Sequence, residues 1–125
     1  MRNFEELRVW QDARVLVNDI YKTMSNCKDF GFKDQLQRAA VSIMNNIAEG
    51  SDSGSDSLFV RYLKISKASC GEVRSMLYLC QDLKYISQDS VFILKDKALS
   101  LSSSIQKLIE YLNNSNNNSG SKPTK

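Results

Sequence analysis

The sequence predicts an all-α chain, arranged as an antiparallel up-and-down four-helix bundle. Three observations carry that prediction. Apolar residues recur at spacings of three and four in four separate stretches, the stretches are joined by short polar connections, and the single proline stands at position 123, beyond all of them. At 125 residues and 42% hydrophobic content the chain fits one domain with one core, large enough to fold without disulfides or metals.

Asn3 and Glu6 have the spacing of a capping box, with Phe4, Leu7 and Trp10 as the alternative, a short apolar lead-in. Val9, Ala13, Leu16 and Ile20, with Val17, Tyr21 and Met24 beside them, then predict a helix from residue 9 to about residue 25. Residues 26–32, with Asn26, Asp29 and Gly31, read as a loop. The second helix is expected from Lys33, with Asp34 favourably placed in its first turn. Its core stripe is Leu36, Ala40, Ile43 and Ile47, and Gly50 is expected to end it in the left-handed conformation that suits glycine.

The other side of this second helix is unusual. Gln35, Arg38, Ser42, Asn45, Asn46 and Glu49 gather there, short and amide-rich where a solvated helix normally carries long Lys and Glu. Gln35, Ser42, Asn45, Asn46 and Glu49 therefore form a polar stripe whose expected use is to lock helix register or a subunit interface.

Residues 50–57 are all small or polar, a flexible connection in which Ser55 or Asp56 caps the third helix. That helix, residues 57–83, turns Phe59, Tyr62, Leu63, Ser66, Cys70, Val73, Leu77 and Cys80 inward and Arg61, Lys64, Lys67 and Arg74 largely outward. Ser87 or Asp89 caps the fourth, whose inward residues Val91, Leu94, Ala98, Leu101, Ile105, Leu108 and Leu112 alternate three and four without a break. The bundle is expected over residues 1–112. Residues 113–125, rich in Asn and Ser, have nothing to bury and are expected to be a disordered tail.

Seventeen Lys and Arg against fourteen Asp and Glu leave a net charge of +3. The excess sits in the third segment, where Arg61, Lys64, Lys67, Arg74 and Lys84 face only Glu72 and Asp82. Such a face can track a phosphate backbone, since each neutralised phosphate releases counterions. Trp10, Tyr21 and Tyr62 are candidates for base stacking but serve equally as packing residues.

An enzyme is not expected. Histidine is absent, which removes the commonest general base and metal ligand, and three cysteines without paired spacing suggest neither a zinc site nor a disulfide framework. Cys70 and Cys80, about 15 Å apart along one helix, cannot bond to each other. Cys27, in the first connection, is expected to be the exposed thiol. Glu49, Asp52 and Asp56 lack the ordered spacing of a calcium loop. No cofactor or metal is implied, no apolar run is long enough for a membrane span, and a cytoplasmic location is the expectation.

The residues also resemble the 23S rRNA intervening-sequence protein family, a group of four-helix bundles that includes the accessory variability protein of diversity-generating retroelements. The resemblance covers roughly residues 4–112. It is carried by Phe4, Leu7, Val9, Trp10 and Ala13, by Gln35, Arg38-Ala39-Ala40, Ser42-Ile43 and Asn46-Ile47-Ala48-Glu49-Gly50, and by Ser55, Phe59, Arg61, Leu63, Ile65, Ser69 and Glu72. The chain departs from the usual pattern at Met44, Lys33, Leu58 and Ser53-Gly54. The resemblance implies a bacterial cytoplasmic protein without catalysis, assembled as a homopentamer, with nucleic acid as a partner.

The functional expectation is thus a non-enzymatic homo-oligomer binding RNA, or less readily DNA, through Arg38, Arg61, Lys64, Lys67 and Arg74. The alternative is a protein-interaction scaffold for a partner enzyme such as a reverse transcriptase. Apolar Val41, Met44 and Ala48 beside the core stripe of the second helix give that helix a second packing side for assembly.

Overall fold

The computed structural model describes residues 3–121, with side chains as far as residue 115. Among the described residues there are four α-helices and no strand: α1 (Arg8–Thr23), α2 (Phe30–Ser51), α3 (Asp56–Asp82) and α4 (Gln88–Ser121). A single 3-10 turn, Phe4–Glu6, precedes α1. Asn3 makes no side-chain cap there. The apolar lead-in forms instead: the Phe4 ring meets Trp10 edge-on at a centroid distance of 5.1 Å, and Leu7 packs on the core.

The second helix begins at Phe30, three residues before the expected Lys33. Its cap is Asp29, whose carboxylate accepts the Phe32 backbone N–H at 3.2 Å and, on its other oxygen, the Tyr85 hydroxyl. The Tyr85 ring also packs edge-on against Phe32, at a centroid distance of 5.4 Å. These bonds hold the Asp29 carboxyl below the usual carboxylate range, the Tyr85 hydroxyl acting most, and push the Tyr85 phenol up to about 12. One aspartate thereby starts α2 and ties the loop before it to the loop before α4.

Gly50 is not a left-handed terminus. The helix runs through it, because the Asp52 and Ser53 amides still find the Ala48 and Gly50 carbonyls, and positive φ occurs instead at Gly54 (88°) and Lys84 (58°). What Gly50 provides is space. A Cβ there would stand 2.8 Å from both Phe59 Cδ1 and Tyr62 Cβ, so α3 rests directly on the α2 backbone.

Ser55 caps α3 by accepting the Leu58 amide at 3.1 Å, and Ser87 caps α4 by accepting the Ser90 amide at 3.1 Å. The α4 backbone stays helical past residue 112 to Ser121. The core contains the expected stripes, Val9, Ala13, Leu16 and Ile20 on α1 through Ile105 and Leu112 on α4. Tyr21 is exposed, while Val17, Tyr62 and Leu108 are only half-buried.

Each helix packs on the next in sequence, and α4 returns to α1. The named pairs step backwards: Ser42 meets Ser69, Ile43 meets Ser66, and Gly50 meets Phe59. Likewise Lys67 of α3 meets Gln106 of α4, Tyr78 meets Lys95, and Asp19 of α1 pairs with Lys97 of α4.

Two glycines should respond oppositely to alanine. Gly50→Ala overpacks the α2–α3 contact and is expected to destabilise by about 1–3 kcal/mol. Gly71→Ala, in α3 with nothing within 4 Å of the added Cβ, should stabilise by about 0.5–1 kcal/mol through helix propensity. Urea midpoints of the two variants check both, and a midpoint for Gly50→Ala at or above the wild-type value contradicts the close approach.

Candidate nucleic-acid interface

The outward side of α3 is built by helical phase. Its α2 flank is fixed by Ser66, which donates to the Ile43 carbonyl at 2.8 Å, and by Ser69, which shares a 2.9 Å hydrogen bond with Ser42. Its α4 flank is fixed by Lys67, whose ammonium donates to Gln106 Oε1 at 2.8 Å, and by Tyr78, whose ring carries the Lys95 ammonium 3.9 Å from its centroid. At about 100° per residue, what remains divides into two strips. Leu58, Ile65, Leu79 and Leu83, all exposed, run along the side nearer α2. Lys64, Lys67, Arg74 and Tyr78 run along the side nearer α4 together with exposed Asp82, about five turns from Lys64 on the same face, and Arg61 and exposed Glu72 lie at the boundary.

Lys64 and Arg61 are exposed, and Lys67 and Arg74 are half-buried against α4. None of the four makes an ion pair among the described residues, where Arg8 pairs with Asp12, Arg38 with Asp34 and Lys97 with Asp19. Arg38 is therefore not brought to the others. It sits on α2, its guanidinium 2.8 Å from Asp34, with the apolar strip of α3 between it and the lysines.

Arg38 instead borders a shallow depression of about 470 Å³ lined by Tyr21, Val41, Ser42, Asn45, Asn46 and Glu49. The amide stripe splits across it. Asn46 Nδ2 donates to the Ser42 carbonyl at 2.8 Å and to the Ser42 hydroxyl at 3.0 Å, and Ser42 continues to Ser69, so Ser42 and Asn46 belong to the α2–α3 seam. Gln35, Asn45 and Glu49 are exposed and make no side-chain hydrogen bond or ion pair among the described residues.

The aromatic candidates separate too. Trp10 is half-buried under Phe4, with the Arg14 guanidinium 5.6 Å from its ring, and Tyr62 covers Gly50. The exposed rings near the cations are Tyr78 and Phe92, 56% and 68% accessible. The sequence reading did not include Tyr78, Phe92 or Lys95. The interval from Lys64 through Lys67 and Arg74 to Tyr78 is helical and could have shown the first; the other two need the α3–α4 register.

Cys27 is buried at 7% accessibility, not exposed as expected, because its side chain packs into the apolar core. Burial also pushes the Cys70 thiol up to about 12 and the Cys80 thiol up to about 11, so both stay protonated at neutral pH. Among the described residues no three His, Cys, Asp or Glu stand together as a metal site, and no helix is long and apolar enough to cross a membrane.

The class these features define is a small all-helical bundle. The chain belongs to the 23S rRNA-intervening sequence protein family, whose family model matches residues 5–115. It is similar to a crystal structure of a protein of unknown function from the S23 ribosomal protein family of Bacteroides thetaiotaomicron VPI-5482, with a TM-score of 0.76 and 22% identity over 81% of this chain and 97% of that one. That likeness is one of fold. No curated protein matches the chain.

The divided amide stripe yields a direct contrast. Ser66→Ala, which removes a buried hydrogen bond between α2 and α3, is expected to cost about 0.5–1.5 kcal/mol in chemical denaturation. Asn45→Ala, at an exposed position without a partner, should stay within about 0.5 kcal/mol of wild type. Equal losses would mean that Asn45 has a structural partner too.

Proposed function

We propose that the protein is a non-enzymatic, self-associating helical bundle that binds nucleic acid, RNA ahead of DNA, through the basic strip of α3. The observation that carries this reading is that Arg61, Lys64, Lys67 and Arg74 make no ion pair among the described residues. Four cations on one helix, of which only Lys67 is hydrogen-bonded within the fold and to a neutral amide, keep their charge for an outside polyanion. The family's name, tied to 23S rRNA, adds weight to RNA.

An antiparallel, up-and-down order is supported by the backward-stepping pairs and by the meeting of the Asp29 and Tyr85 loops. A bundle ending near residue 112 is supported by Leu112, the last buried side chain among the described residues. Three free cysteines fit a reducing, cytoplasmic compartment.

Self-association, with the pentamer implied by family resemblance, is supported by a different strip than the sequence suggested. Val41, Met44 and Ala48 of α2 are half-buried, and Met44 packs on the core. Exposed Leu58, Ile65, Leu79 and Leu83 share one side of α3, while α1 and α4 also expose apolar residues such as Val15, Ile93 and Leu99. The same strip favours a second reading, a scaffold whose apolar face receives a helix of a partner enzyme such as a reverse transcriptase.

Light scattering and RNA titration test the two strips separately. Neutralising Lys64, Lys67 and Arg74 to Gln should weaken RNA binding at least about tenfold and reduce the salt slope by about 2, with particle mass unchanged. Leu58→Ser with Ile65→Ser should lower the particle mass. Unchanged RNA binding after the triple neutralisation overturns the strip assignment. A wild-type protein that binds no nucleic acid at all leaves the scaffold reading in its place.

A further inference from the structure

The basic strip of α3 does not stand alone. Lys67 and Tyr78 both reach α4, and the residues they meet place a second wall beside the strip. The Lys95 ammonium lies over the Tyr78 ring, and Phe92 is one turn earlier on α4, its ring outside the core. Helical phase puts Phe92 on the outer side of α4, on the flank that faces α3. The shallow groove between the helices thus carries Lys64, Lys67, Arg74 and Lys95, with Tyr78 and Phe92 toward one end, where Asp82 adds a carboxylate one turn beyond Tyr78. From Lys64 to Tyr78 it extends about 21 Å at helical rise. Glu110, bonded to Gln106 at 3.0 Å, bounds the opposite end with a carboxylate.

We propose that this groove takes single-stranded nucleic acid, with Tyr78 and Phe92 as stacking platforms for bases and the four cations on the phosphates. The inference rests on the nucleic-acid reading above and specifies its ligand. Phosphate contacts alone do not distinguish a single strand from a duplex, because both offer the same charges. Exposed rings do. In a duplex the base faces are stacked on one another and closed to a side chain, whereas an unpaired strand can turn its bases onto aromatic faces. The two rings have little to do within the fold: more than half of each is in water, and the only partner of Tyr78 among the described contacts is a lysine whose ammonium can transfer to a phosphate.

The stacking and electrostatic contributions separate experimentally. Fluorescence anisotropy is measured with a twelve-nucleotide single-stranded RNA, the DNA of the same sequence, and the RNA duplex, each over a range of salt. The single strand should bind more tightly than the duplex. Tyr78→Ala and Phe92→Ala should each lose about five- to a hundredfold in single-strand affinity, leaving duplex affinity and the salt slope unchanged. Tyr78→Phe, which keeps the ring, should stay within about threefold of wild type, and circular dichroism should show all three variants folded. The RNA and DNA arms identify which strand is the natural ligand by which binds more tightly. If wild type binds the single strand but both alanine variants bind it equally well, or if the duplex binds as tightly as the strand, the stacking proposal is overturned while the nucleic-acid reading survives. If wild type binds none of the three, the nucleic-acid reading itself falls.

Discussion

Everything outside the core depends on how closely α3 lies on α2. Gly50 gives up its side chain so that Phe59 and Tyr62 can rest on the backbone, and Ser66 and Ser69 keep hydroxyls where larger residues would hold the helices apart. A contact of small residues and short hydrogen bonds has one register and one rotation. An apolar seam of Leu on Leu would permit neighbouring rotations at little cost. Because the rotation of α3 is fixed, its apolar strip lies nearer α2 and its basic strip nearer α4. A rotation of about 100°, the angle of one residue, would carry the basic strip away from α4 toward α2.

The division resolves a conflict between the two surfaces. Cations placed inside a subunit interface would have to be desolvated, and an unpaired buried charge is costly. Keeping Leu58, Ile65, Leu79 and Leu83 on one flank and Lys64, Lys67 and Arg74 on the other leaves the proposed assembly and the proposed polyanion binding separate surfaces. Net charge is a poor guide to this. At +3 the whole chain is nearly balanced, yet Asp12, Asp34 and Asp19 pair with Arg8, Arg38 and Lys97 away from the strip. At physiological salt the screening length is about 8 Å, so the local arrangement governs what a phosphate meets.

Periodicity made the helices and their core faces legible. Leu36, Ala40, Ile43 and Ile47, or Val91 through Leu112, state their buried side by spacing alone, and Ser55 states its cap by type. The sequence was silent where a residue's role depends on a partner from another helix. Gly50 fits a terminus by its type and position, and only Phe59 and Tyr62 show that it is a point of contact. Asp29 looks like a turn residue until Tyr85, far along the chain, reaches it. Cys27 was expected at the surface because it lies in a connection, but its side chain packs into the core. The grouping of Lys64, Lys67 and Arg74 was readable from one helix. Arg38 was misplaced beside them, since proximity across helices needs the register that Ser42 and Ser69 set, and Lys95 and Phe92 were missed for the same reason.

The central claim is that nucleic acid meets the α3–α4 side of the bundle and not the amide-rich α2 side. Ultraviolet crosslinking of a short single-stranded RNA, followed by mass-spectrometric identification of the modified residue, tests it without any substitution. The account predicts adducts at Tyr78 or Phe92 and none at Trp10 or Tyr21. Adducts concentrated at Tyr21, beside Arg38 and Asn45, would contradict it and transfer the interface to α2.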